Sequence, residues 1–117
     1  MADKKVLEQK MAELMDIVPE CEGLIAADMD GKVLVGQTLL EMDHGTIAKF
    51  CAGIFKETNN FGKGVGKGSL KATTIELEKG YAILVGSDTI ILIALAGLDG
   101  KSSLSLLKRH LISISKT

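Results

Sequence analysis

The chain has few of the residues that serve specialised recognition of nucleic acid. It has no tryptophan, and only four of its 117 residues are aromatic, three phenylalanines and one tyrosine, so a base-stacking surface is not expected. Basic and acidic residues nearly balance, 14 against 15, whereas nucleic-acid-binding domains carry a concentrated basic face. The composition therefore predicts no nucleic-acid partner.

Cysteine and long apolar runs are also scarce. Cys21 and Cys51 have no metal-ligand spacing and are too few for a disulfide framework, which favours a reducing, cytoplasmic setting. The longest apolar run, residues 90–96, is too short to span a bilayer, and residues 1–8 lack the apolar segment of a signal peptide. We expect a cytoplasmic protein without direct membrane insertion.

Motifs for catalysis or cofactors are missing as well. His44 and His110 have no motif partner, no serine lies in a nucleophile elbow, and no zinc or calcium spacing occurs. The glycine- and lysine-rich stretch of residues 61–69 matches neither the Walker A pattern nor the dinucleotide-binding glycine pattern. It is also predicted to follow a helix and open a strand, whereas a phosphate-binding loop opens a helix. We interpret it as a flexible helix C-cap and connector. The sequence predicts no catalytic residue, no metal, no cofactor and no binding of GTP or ATP, hence a protein that is not an enzyme.

What the sequence does contain is a clear order of elements. Apolar residues at helical spacing predict a first helix from Asp3 to Val18, which Pro19 ends. Asp30-Gly31, between apolar stretches at residues 24–29 and 32–35, predicts a hairpin with a tight primed turn. Asp43 predicts the N-cap of a second helix that runs to about residue 59.

Three strands and a helix complete the order. Residues 73–78 alternate strictly between apolar and polar, which is typical of an edge strand with one wet face. Residues 81–85 follow as the next strand, and residues 89–96 are apolar on both faces, which predicts a central strand covered on both sides. A last helix is predicted for residues 102–115. We expect all 117 residues to form one domain.

The second helix has two candidate faces. Large apolar residues form a stripe at helical spacing that predicts the core face: Ile47, Phe50, Cys51, Ile54 and Phe55. Small residues and lysines then form the outer face: Gly45, Ala48, Lys49, Ala52, Gly53 and Lys56. Small residues let another backbone approach closely, so we interpret this helix as packed on both sides; a tolerant solvent-facing surface is the alternative.

The order of elements, the hairpin at residues 29–34, the glycine-rich joint after the second helix and the closing helix of residues 104–114 together resemble the Roadblock/dynein light-chain superfamily. The likeness covers residues 5–115 and is greatest to stand-alone prokaryotic members of the MglB type and their archaeal relatives. It implies an α/β (α+β) sandwich: a five-stranded antiparallel sheet in the order 2-1-5-4-3, with the second helix on one face and the first and third on the other.

The resemblance also implies a function. Members dimerise by pairing the edge strand with its twofold mate and packing second helix against second helix, and they serve as platforms for small Ras-like GTPases. Some stimulate hydrolysis or nucleotide exchange, and others are pure scaffolds. Carried onto this chain, the implied interface for dimer or partner comprises Ala48, Lys49, Ala52, Gly53, Lys56, Thr74, Glu76 and Glu78.

The expected function is therefore that of a homodimeric regulator or scaffold for a small Ras-like GTPase, with a possible GTPase-activating role. The alternative is a non-catalytic structural adaptor subunit of a larger motor or signalling complex. A third class, a small-ligand sensor with a PAS- or profilin-like sheet, requires a sizeable pocket. Arg109, the single arginine, is predicted to lie mid-helix on the face away from the second helix, which argues against an arginine finger.

Overall fold

A computed structural model describes residues 3–117; Met1 and Ala2, which the predicted domain includes, lie outside the described residues. The three helices are α1 (Lys4–Ile17), α2 (His44–Gly64) and α3 (Leu104–Ser115), and a 3-10 helix at Leu98–Ser103 precedes α3. The strands are β1 (Cys21–Asp28), β2 (Val33–Thr38), β3 (Ala72–Leu77), β4 (Gly80–Gly86) and β5 (Ile90–Gly97).

The five strands form a single antiparallel sheet in the order β2-β1-β5-β4-β3. The doubly apolar strand β5 lies in its centre, and the half-polar strand β3 lies at one edge. This confirms both the predicted fold and the strand order that the resemblance implied.

Each face of the sheet has its own apolar core. Helices α1 and α3 cover one face, where Leu14 and Leu107 meet strand residues such as Leu92. Helix α2 covers the other face, where Phe55 lies among residues such as Leu84 and Ile93. Strand β5 contributes alternate residues to both cores, which explains why residues 90–96 are apolar throughout.

Aspartate side chains cap the N-termini of α1 and α2, the second of them as predicted. The Asp3 carboxylate accepts a hydrogen bond from the Lys5 backbone N–H at 2.9 Å, and the Asp43 carboxylate accepts one from the Thr46 N–H at 3.1 Å. Each bond satisfies a backbone donor that the first helical turn leaves unpaired. The backbone hydrogen bond also holds the pKa of Asp43 below its ordinary value.

The β1–β2 hairpin is confirmed, but its turn is not of the primed type. The loop has three residues, since the Gly31 N–H donates to Asp28 O at 3.1 Å and the Asp28 N–H donates to Lys32 O at 2.9 Å. Positive φ is adopted there by Gly31, at 85°, and not by Asp30. A primed two-residue turn needs positive φ at both central residues, whereas a three-residue loop needs it at the last one, where the glycine stands.

Helix α2 is five residues longer than predicted because its glycine-rich end forms a cap. The Lys67 N–H donates to Gly62 O at 2.8 Å and the Gly66 N–H donates to Lys63 O at 3.1 Å, with Gly66 at φ 76°. This is the Schellman motif, in which a glycine in the left-handed region closes a helix. The stretch is thus a helix cap, as predicted, and it leads into β3.

The last helix begins later than predicted. Residues 102 and 103 belong to the 3-10 helix, and α3 starts at Leu104. Its predicted apolar stripe does face the core, with Leu107, Leu111 and Ile114 buried and Leu104 packed against them.

Candidate partner-binding surface

Helix α2 is rotated on the sheet relative to the prediction: Cys51 and Phe55 are buried as predicted, but two of the small residues are buried as well. Ala48 and Ala52, assigned to the outer face, are 0% and 5% exposed and lie in the core with Cys51 and Phe55. The prediction was wrong because the opposing strands already supply large side chains, including Ile91 and Ile93. Small helix residues let α2 approach that layer closely, so Ala48 and Ala52 cannot contact a partner.

The large apolar residues of α2 face outward instead. Phe50, Ile54 and Phe61 recur at i, i+4 and i+11, which places them on one stripe, and they are 70%, 39% and 67% exposed. Together with the half-buried Ile47 we call these residues the apolar flank. Soluble monomers rarely expose large contiguous apolar surface, so the apolar flank is a candidate interaction surface.

Strand β3 forms one edge of the sheet. Within residues 3–117 it pairs with β4 on one side and with no strand on the other. Thr74 and Glu76 are exposed, as is Leu77 near the end of the strand, and Ile75 is packed against the α2 core. An open edge presents backbone N–H and C=O groups to which another strand can add.

A row of lysines occupies the other flank of α2. Lys49, Lys56 and Lys63 recur at intervals of seven, hence on one helical stripe, and all three are exposed. We call them the basic flank. Lys49 packs over the β1–β2 loop, because a Cβ placed on Gly31 would lie 2.9 Å from its Cα. The apolar flank and the basic flank therefore lie on different sides of α2.

The remaining predicted site residues are accessible. Lys49, Gly53 and Lys56 lie on the exposed side of α2, and Thr74, Glu76 and Glu78 lie on or beside the β3 edge. Their contact with a partner stays a prediction. Residues that sequence reasoning assigned to the core, Phe50 and Ile54, belong to this surface instead. No local signal in the sequence identified them, because the packing face of α2 depends on side chains of strands that are distant in sequence.

Other reactive groups lie apart from this surface. Burial raises the pKa of both free thiols, Cys21 and Cys51, to about 11. His44 Nε2 lies 3.0 Å from Thr38 Oγ1. Arg109 is exposed on α3, which the sheet separates from α2, as predicted. Among residues 3–117 there is no group of three or more His, Cys, Asp or Glu side chains placed to hold a metal ion.

These features define the class of fold: a small antiparallel sheet in the order 2-1-5-4-3, with two helices on one face and one on the other. Within residues 3–117, one flank of α2 and the edge of β3 are exposed. No protein-family model and no curated protein matches the chain. Solved structures do match, and they place it in the Roadblock/LC7 fold, as the resemblance predicted.

Three of these structures cover nearly the whole chain. The Roadblock/LC7 domain from Streptomyces avermitilis has a TM-score of 0.82 at 19% identity, over 93% of this chain and 91% of that one. Myxococcus xanthus MglB has a TM-score of 0.84 at 14% identity, over 99% and 86%. The gliding protein MglB from Thermus thermophilus has a TM-score of 0.77 at 17% identity, over 99% and 93%.

In the part of the chain that the structure describes, no helix combines the length and the apolar character needed to cross a bilayer.

Proposed function

We propose that this protein is a homodimeric regulator that binds a small Ras-like GTPase and modulates its nucleotide cycle. The observations that carry the proposal are the exposed apolar flank of α2 and the open β3 edge. The Roadblock/LC7 fold supports it, because the family resemblance implies self-association through the second helix and the edge strand, although not through Phe50, Ile54 and Phe61 themselves.

In the proposed dimer, Phe50, Ile54 and Phe61 of each protomer pack against the twofold-related helix. Fully burying one such side chain stabilises association by about 1.5–3 kcal/mol relative to leaving it in water. The β3 edges pair at the same time, which removes the open edge. A twofold interface requires a self-complementary surface; an apolar stripe can pack against its own copy, and an unpaired strand can pair with its own copy.

The GTPase is proposed to dock on the exposed lysines and glycine of α2, namely Lys49, Gly53 and Lys56. The protein acts without catalytic residues of its own, in the cytoplasm, by holding the switch regions of the GTPase in an arrangement that favours hydrolysis. This surface offers a GTPase no arginine, because Arg109 projects from the opposite face of the sheet. Any stimulation then comes from the catalytic groups of the GTPase itself.

Binding to purified Ras-like GTPases encoded in the same genome tests the proposal. Each GTPase is loaded with GDP or with a non-hydrolysable GTP analogue, and its affinity for this protein is measured by calorimetry. We expect one of them to bind with a preference for one nucleotide state and its hydrolysis or exchange rate to change. Binding with unchanged nucleotide turnover would support the structural adaptor instead, and absence of binding to every GTPase would contradict the proposal.

A further inference from the structure

Positive charge is concentrated in one segment of this chain. Residues 49–71 contain five lysines and one glutamate, a net charge of +4. The whole chain carries −1, so the remaining residues together carry −5. The segment comprises all of α2 except its first five residues, the glycine-rich cap and the connection to β3. Such segregation gives one region of the surface a positive potential within an otherwise acidic protein.

A cleft of about 610 Å³ lies beside the basic flank. Lys56 and Lys63 line it from α2, and Ser87 and Asp88 line it from the β4–β5 turn. Phe55 contributes an apolar wall, and its ring lies against the Gly86 backbone, where a Cβ would collide with it. The volume is within the range of pockets that hold a small ligand or a few residues of a peptide.

Hydrogen-bonding groups are also fixed along the cleft. Asn59 Oδ1 accepts the Leu70 backbone N–H at 2.8 Å, which ties the connector to α2 beside the cleft. Asn59, Asn60 and Ser69 line the cleft, so two side-chain amides and a hydroxyl belong to its residues. Side-chain amides and hydroxyls of this kind can pair with a peptide backbone.

We propose that this cleft is a docking site for an acidic peptide segment of a partner protein, with Lys56 and Lys63 pairing its carboxylates. The lining also contains the carboxylates of Glu57 and Asp88. They disfavour the continuous charge of a nucleic-acid backbone, whereas a peptide can space its acidic residues to meet the lysines alone. The site requires neither a GTPase nor a dimer, because one protomer forms it on the flank away from Phe50 and Ile54.

Titration of the full chain with an acetylated, amidated octapeptide of alternating glutamate and serine tests this site. In two-dimensional NMR spectra we expect shift changes at backbone amides of residues 56–63 and 86–88, and an affinity that falls as salt is added. The Gln-Ser octapeptide is the uncharged control and should leave these amides unchanged. The same changes are expected in the Phe50→Glu, Ile54→Glu double variant, which separates this site from self-association.

Charge variants test whether the lysines of the cleft bind the peptide. Replacing Lys56 and Lys63 by glutamine should lower the affinity for the acidic octapeptide about two- to fivefold per lysine. The matched variant Lys4→Gln, Lys5→Gln removes the same charge from α1 on the other face of the sheet and should leave affinity unchanged. Asp88→Asn should tighten binding. Equal losses in both lysine variants, shifts confined to other residues, or tighter binding of an oligothymidylate than of the acidic peptide would overturn the proposal.

Discussion

Phe50 and Ala52 stand two residues apart on helix α2 and have opposite surroundings. Ala52 is 5% exposed and lies on the sheet, whereas Phe50 is 70% exposed and projects away from it. A small residue faces the core and an aromatic one faces outward, which reverses the usual relation between size and burial. The arrangement is explained if a second protein surface covers Phe50.

Substitution at Ala52 tests which face of α2 is the core. Ala52→Arg places a long charged side chain against Ile93 and its neighbours, so we expect it to destabilise the fold by about 3 kcal/mol or more, or to prevent folding. Urea unfolding followed by circular dichroism measures this. The exposed neighbour Gly53 is the matched position, and Gly53→Arg should leave the protein folded. A stably folded Ala52→Arg protein that is monomeric would instead restore the sequence-based assignment of the helix faces.

The cap of α2 requires glycine at Gly62. A Cβ there would collide with the Gly68 carbonyl oxygen, which belongs to the backbone and cannot rotate away. We expect Gly62→Ala to destabilise the protein by about 1–3 kcal/mol. Gly64→Ala on the same turn meets nothing within 4 Å and should be neutral or stabilising by up to about 1 kcal/mol. Equal midpoints for the two variants in thermal unfolding would show that the connector does not pack on α2.

The buried thiols predict a pH dependence of stability. Burial raises the pKa of Cys21 and Cys51 from 9.0 to about 11, so the folded protein keeps both protons after the unfolded chain has released them. Since the folded pKa lies above the unfolded one, the contribution of the thiols to the free energy of unfolding is at its maximum below about pH 9. It falls as the pH rises towards about 11. The free energy of unfolding of the native chain, relative to that of Cys51→Ala, should therefore fall across this window. A difference independent of pH would contradict it.

Arg109 provides a test of mechanism once a GTPase partner is identified. An arginine finger supplied in trans accelerates hydrolysis by about 10³–10⁵-fold, and Arg109 lies on the face opposite α2. Arg109→Ala should leave stimulated turnover nearly unchanged in a single-turnover assay, whereas Lys49→Glu or Lys56→Glu should weaken binding. A hundredfold loss of turnover in Arg109→Ala, with the complex intact, would mean that Arg109 acts as the finger.

Local signals in the sequence sufficed for most of the fold. The Asp43 cap, the Asp30-Gly31 turn and the apolar stretch of residues 90–96 each have a short-range physical cause, and together they leave few arrangements. The orientation of α2 has no such cause. Two apolar stripes compete on that helix, and the choice depends on the size of side chains in strands β4 and β5 that are distant in sequence. Hydrophobicity alone favours Phe50 over Ala48, whereas close packing on a layer of isoleucine and leucine favours Ala48.

The cleft beside the basic flank was beyond sequence reasoning for a related reason. It forms where α2 passes the β4–β5 turn, so Lys63 and Asp88 line the same cleft only in the folded chain. The interval of seven that places Lys49, Lys56 and Lys63 on one stripe is visible in the sequence. What faces that stripe depends on the tertiary fold.

Sedimentation equilibrium tests the central claim, self-association through the apolar flank, most directly. At micromolar concentration the native chain should sediment as a dimer. The Phe50→Glu, Ile54→Glu double variant should sediment as a monomer with an unchanged circular dichroism spectrum, because both side chains project away from the core. A matched double variant on exposed positions of α3, Lys108→Glu and Arg109→Glu, should remain dimeric. A native chain that sediments as a monomer, or a double variant that stays dimeric, would contradict the account.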